Sequence, residues 1–217
     1  MVLRFGRKWI GTALVGVGAL VLLWYAVGQP RAAMPPPESA GEPPTRWPAA
    51  RAEVRGGPLA PELSGTVDFV AAPGGAWVVV DVRDLPPYQP GDPPIGPHGF
   101  HLHENGTCEV GDPADPFQAA GGHWNPDGQP HGNHAGDFPV LFSNEGRAQM
   151  RVFTSRFEPE QVIGLAVIIH ENPDDFRSQP AGASGRRLAC GVVEEVGRTA
   201  GIPGPSPLPF MTAAPKL

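Results

Sequence analysis

Four residues constrain this chain more than any others: Phe100-His101-Leu102-His103. In an extended strand, side chains two apart lie on one face. Phe100 and Leu102 then face an apolar core, while both imidazoles point the other way and can reach one ion. His98 has the parity of the core-facing residues, so it reads as a support for the ligands and not as a ligand. The chain has seven histidines, and six lie between His98 and His134, far more than an even scatter over 217 residues would place there. Imidazole is the commonest protein metal ligand and suits both zinc and copper. His123, His131, His134 and Asp137 follow in a loop rich in Gly and Pro. Three imidazoles and a carboxylate make a reasonable tetrahedral zinc set. Two sites this close in sequence invite a shared ligand, and His123, first in the loop, is the candidate. The seventh histidine, His170, ends an apolar run.

The rest of the chain between residues 58 and 197 reads as short strands. Leu63, Gly65, Val67 and Phe69 alternate with small or polar residues, as do Ala148, Met150 and Val152. Trp77–Val82 is a β-branched run between Pro73-Gly74-Gly75 and Leu85-Pro86-Pro87; Val162–Ile169 is almost wholly apolar, and Cys190–Val193 ends the module. Short strands punctuated by turn signals predict an all-β sandwich or barrel. Gly and Pro, at 29 each, add long loops to that expectation. Residues 86–97 hold six prolines and cannot join a sheet, because proline offers no ladder donor.

The ordered set GFHLHE, GGHWNP, HAGD, IIHE and RLACGV resembles the copper/zinc superoxide dismutases over roughly residues 62–196. The resemblance implies a Greek-key β-sandwich or barrel with long metal-binding loops. It implies copper held by His101, His103, His123 and His170, and zinc held by His123, His131, His134 and Asp137. His123 then bridges the two metals, and His98 stands behind the copper ligands. By the same resemblance Asp174 links a copper histidine to a zinc histidine, and Arg187 is the guanidinium that faces the copper. Cys108 and Cys190 are the only cysteines. An even pair in an exported chain is most simply a disulfide, and the family pairs these positions. Cysteine ligation of a metal is the competing reading, but the histidines already complete both sites. The segment between His131 and His134 is shorter than in many relatives, and the proline-rich connection at 86–97 is longer.

Charge narrows the partners. Residues 58–197 carry 7 Arg, no Lys and 19 Asp plus Glu, a balance of −12. Nucleic acid and anionic lipid are therefore poor partners for the module. Superoxide is also an anion, so its capture must rest on local positive charge. Arg187 is the candidate, with Arg186 beside it as a surface charge. The chain opens with Arg4, Arg7 and Lys8 before an apolar run to Gly28. Residues 1–28 thus read as either a cleaved signal peptide or an N-terminal membrane anchor through residues 9–28. Both place the bulk of the chain outside the cytoplasm, in the periplasm, the cell envelope or the exterior. Residues 29–57, with seven prolines, read as a linker, 58–197 as the catalytic module, and 198–217 as a disordered proline-rich tail. The implied function is an exported superoxide dismutase. The alternative is a non-catalytic dismutase-like module that binds copper and zinc without turnover. A homodimer is compatible with either reading.

Overall fold

The computed structural model describes residues 48–197. Seven antiparallel strands form one curled sheet: β1 Ala50–Gly56, β2 Ser64–Ala72, β3 Gly75–Arg83, β4 Phe100–His103, β5 Ala148–Thr154, β6 Ala166–His170 and β7 Arg187–Glu195. The order across the sheet is β4-β6-β7-β1-β2-β3-β5. The chain therefore leaves β3 for the far edge, returns to pair β5 with β3, and crosses again to set β6 between β4 and β7. These crossovers give the expected all-β, Greek-key arrangement, and they carry the metal-binding loops.

Local chemistry places the strands. In the β2–β3 hairpin Ala72 pairs with Gly75, leaving Pro73 and Gly74 as the turn. Proline presets the first turn angle, and Gly74 takes the positive φ of 75° that a side chain resists. Register then sets Val67 opposite Val80 and Phe69 opposite Val78, all four buried. On the other face Arg51 lies opposite Asp68 and closes a two-bond ion pair with it. Phe69, Leu63, Phe100, Leu102 and Ile169 fill the main core, with the Phe138 ring tilted against Phe100 at a centroid distance of 5.0 Å. Burying each such side chain contributes about 1.5–3 kcal/mol.

Strand β6 is buried on both faces. Val167 and Ile169 join the main core, whereas Ala166 and Ile168 pack with Phe117, Ala120 and Cys190 under a loop. That double burial explains why its sequence is apolar throughout and not alternating.

Two boundaries differ from the sequence-based expectation. Strand β1 starts at Ala50, inside the stretch 29–57 read as a linker. Its core-facing residues Ala50, Ala52 and Val54 alternate with Arg51, Glu53 and Arg55, but two of the three are alanine and give a weak apolar signal. Val162 belongs to a short 3-10 helix, Pro159–Val162, so β6 begins only at Ala166. Glu158 and Gln161 cap that helix reciprocally, which diverts the chain before the strand. No helix among the described residues is long and apolar enough to cross a membrane. The apolar run at 9–28, the linker up to residue 47 and the tail 198–217 lie outside the described residues.

Candidate metal centre

The pair on β4 behaves as its two-residue spacing predicts. Phe100 and Leu102 enter the core; His101 and His103 face the opposite side, where loops bury them. His170 arrives from the end of β6, where a bulge between Ile169 and His170 breaks the ladder. His123 bridges to His103 through backbone pairing, and Asp137 to His101. Two quartets result, His101-His103-His123-His170 and His123-His131-His134-Asp137. In each, four ligand atoms lie within 4.8 Å of one another, and His123 belongs to both. The His101 and His123 rings stack at 3.8 Å.

Hydrogen bonds fix which nitrogen carries hydrogen in four of the rings. His101 Nε2 donates to Asp174 Oδ2 at 2.7 Å, and His131 Nε2 to Asp174 Oδ1 at 2.9 Å. Asp174 is buried and ties one member of each quartet. His103 Nδ1 donates to the Gly121 carbonyl at 3.0 Å, and His170 Nδ1 to the Gly185 carbonyl at 3.2 Å. Both Nε2 atoms then present lone pairs, and they face each other at 3.3 Å. Two lone pairs repel at that distance unless a cation lies between them. His101 Nδ1, His123 Nε2, His131 Nδ1 and His134 Nδ1 are buried without a hydrogen-bond partner. Buried polar atoms are ordinarily paired, so a cluster of bare lone pairs fits the donors of metal ions.

The electrostatics agree. Burial, with the nearby His170 and His123 rings, pushes His101 and His103 well below the ordinary histidine pKa. Burial lowers His170 to about 3. The rings are thus neutral at ordinary pH, as metal ligation needs. Burial alone would raise the Asp137 carboxyl, but hydrogen bonds from His123 and the His134 N–H outweigh it and hold it at about 2. Asp137 Oδ2 also accepts the Gly132 N–H, so this carboxylate organises the loop it belongs to.

Arg187 opens β7. Its Nη1 donates to the Phe117 carbonyl at 2.5 Å and its Nη2 to the Gly121 carbonyl at 2.7 Å. The Gly121 oxygen therefore serves both Arg187 and His103, and the arginine's charge bears on His103 and His170. Burial lowers the Arg187 pKa, yet a guanidinium remains charged at any working pH. Arg186 instead forms a two-bond pair with Glu171, at 2.9 and 2.7 Å.

Supports gather behind the ligands. His98 is fully buried, with Nδ1 2.8 Å from the His170 carbonyl and Nε2 2.9 Å from the Pro86 carbonyl. The proline-rich segment 86–97 joins no strand but is fastened to the end of β6. Gly96 N–H donates to the Glu171 carbonyl, and Asn172 Nδ2 to the Pro94 carbonyl. Cys108 and Cys190 form a disulfide, with Cα atoms 5.6 Å apart. Sequence reasoning missed Asn172, which carries no motif, and the carbonyls of Gly121 and Phe117, because a backbone oxygen leaves no mark in a sequence.

A family model described as copper/zinc superoxide dismutase matches residues 63–193. A superoxide dismutase [Cu-Zn] of Deinococcus radiodurans is 36% identical over 153 residues, covering 62% of this chain and 79% of the relative. One from Legionella pneumophila is 34% identical over 142 residues, covering 62% and 80%. Among solved structures, the Cu/Zn superoxide dismutase from Brucella abortus aligns with a TM-score of 0.55 at 30% identity, over 67% of this chain and 99% of that one. A double mutant of a SOD-like protein from Bacillus subtilis aligns with a TM-score of 0.53 at 27% identity, over 65% and 95%. The chain therefore belongs to the copper/zinc superoxide dismutase family, oxidoreductases whose cofactors are copper and zinc.

Proposed function

We propose that this protein converts superoxide to dioxygen and hydrogen peroxide at a copper held by His101, His103, His123 and His170. Zinc is held by His123, His131, His134 and Asp137. The observation that carries this reading is the convergence of bare imidazole lone pairs, with His103 and His170 Nε2 only 3.3 Å apart, beside a guanidinium. When bound, copper supplies a one-electron couple between Cu(II) and Cu(I), while zinc has no redox chemistry and serves structure. Arg187 attracts the superoxide anion and orients it, in a module whose balance of −12 otherwise repels anions. Its two carbonyl acceptors keep the guanidinium in one place, so no reorganisation is needed when substrate arrives. His123 presents Nε2, the bare donor on the copper side, as the atom placed to relay a proton to the product. Its Nδ1 stays with the zinc loop, which keeps the ring from turning away. Asp174 fixes the ring angles of His101 and His131 by accepting Nε2–H from each.

The disulfide and the basic-then-apolar start of the chain support export to the periplasm, cell envelope or exterior. A homodimer, and either attachment through residues 9–28 or their removal as a signal peptide, belong to the same proposal. The alternative function is a dismutase-like module that binds copper and zinc without turnover. Arg187 favours the enzyme, because a cation held beside the histidine cluster serves an anionic substrate and not metal storage.

Metal analysis and a superoxide assay on the purified protein test the reading together. One copper and one zinc per chain with turnover are expected. Zinc alone after reconstitution with both metals, or both metals without turnover, would favour the binding module. A reporter fused after Leu217 and active only in the cytoplasm would overturn export.

A further inference from the structure

Arg156 reaches the backbone of two members of the histidine–carboxylate quartet from outside it. It stands in the turn after β5, and Thr154 Oγ1 accepts its N–H at 3.2 Å. Its Nη1 donates to the His134 carbonyl at 2.7 Å and lies 3.4 Å from the Asp137 carbonyl; its Nη2 donates to Asn133 Oδ1 at 3.3 Å. The His134 carbonyl also accepts the Asp137 N–H at 3.2 Å. The guanidinium thus reinforces the single turn that sets His134 relative to Asp137. Three other arginines, Arg51, Arg147 and Arg186, pair with carboxylates. Arg156 instead spends its donors on this turn.

Only Gly132 and Asn133 separate His131 from His134. From inside, the short loop is held by the Asp137 carboxylate, which accepts the N–H groups of Gly132 and His134. That carboxylate is also a ligand, so a metal ion competes for its electrons. Arg156 holds the same turn through carbonyl oxygens and an amide that no metal uses. A planar fork suits the task, because separate nitrogens address Asn133 and His134 at once.

We propose that Arg156 is a positioning residue that sets the zinc affinity of the His123-His131-His134-Asp137 quartet. It fixes the turn from 133 to 137, so that His134 Nδ1 and the Asp137 carboxylate meet the ion without rearrangement. This rests on the reading of that quartet as the zinc site.

The test uses the full chain stripped of metal, with Arg156→Ala, Arg156→Lys and, as a control, Arg151→Ala. Arg151 lies over Trp77 and touches no ligand. Three quantities are measured: the zinc dissociation constant by chelator competition, thermal unfolding with and without zinc, and the visible spectrum of bound Co(II). Arg156→Ala should weaken zinc about ten- to hundredfold, as removal of outer partners of ligands commonly does. Its metal-free Tm should stay near that of the parent, so the rise on adding zinc shrinks. The Co(II) bands should shift, and Arg151→Ala should match the parent throughout. Arg156→Lys keeps the charge and loses the fork; it should fold and show part of the loss, which carries the test if Arg156→Ala does not fold. Zinc affinity within twofold of the parent in Arg156→Ala overturns the proposal. So does an equal loss of Tm with and without zinc. A parent that binds no zinc overturns the quartet itself, a different result from a parent that binds and a variant that binds equally well.

Discussion

Removing the disulfide should cost both stability and turnover, for two separable reasons. Cys108 and Cys190 lie 82 residues apart in sequence. Cross-linking ends that far apart removes about 4.5 kcal/mol of chain entropy from the unfolded state. A domain of this size is stable by about 5–15 kcal/mol in total, so the bridge is a large share. The second effect is local. The bridge anchors the loop after β4 to β7, beside Phe117 and Ala120. That loop supplies the Phe117 and Gly121 carbonyls that hold Arg187, and the Gly121 carbonyl also orients His103. The variant is Cys108→Ser with Cys190→Ser, compared with the parent in urea, both metal-free so that metal affinity does not enter. At an m-value of about 2 kcal/mol/M, the midpoint should fall by about 2 M. Remetallated variant that is still folded should turn over superoxide more slowly. Denatured parent without reductant should titrate no free thiol. A midpoint shift below about 0.5 M, well under what the entropy argument demands, would refute the stability reasoning. Unchanged turnover would refute the link from bridge to arginine.

Arg187→Ala should retain both metals and lose tenfold or more in turnover, since about 1.4 kcal/mol of transition-state stabilisation is worth a factor of ten; Arg187→Lys should fall between, and full activity with unchanged salt dependence would transfer the role to Arg186. The metal-free protein should lose stability as pH falls. His170, at about 3 in the fold against an ordinary 6.5, favours its neutral form, so the unfolded chain takes up the extra proton between those values. Asp137, held at about 2, adds to the loss only below its ordinary value of 3.8. A urea midpoint unchanged from pH 7 to pH 4.5 would contradict this. Gly182 has φ of 64°, and a Cβ there would come within 1.9 Å of Asp174 Oδ1 and 2.5 Å of His131 Nε2. Gly182→Ala should therefore part Asp174 from His131 and weaken zinc binding, measured by chelator competition.

What the sequence disclosed follows from the kind of chemistry each feature uses. His101 and His103 were legible because strand geometry turns a spacing of two into a shared face. Asp174 and Arg187 were legible only through the ordered motifs, since nothing local says that a carboxylate at 174 meets rings at 101 and 131, whereas the cysteines were also legible as an even pair. Strand β1 was hidden because its inward residues are mostly alanine and prolines precede it. The proline-rich segment was rightly excluded from the strands, but its attachment to Glu171 and Asn172 runs through backbone atoms. Arg156 was invisible for the same reason: its partners are carbonyls, which every residue has.

The pairing of β1 with β7 sets an order of events for a chain made from its N-terminus. Strands β1, β2 and β3 are neighbours in both sequence and sheet, and β5 adds to β3. Strands β4 and β6 pair with each other, and their ladder joins β1 only through β7. Contacts that span nearly the whole module are formed late, because loop closure precedes their reward. That last strand brings Arg187 and Cys190 with it. A nascent or truncated chain ending before residue 187 already holds every histidine, yet lacks β7, the crosslink and the cation proposed to capture substrate. The metal-ligand candidates and the proposed cation are thus divided by the entry of a single strand, β7.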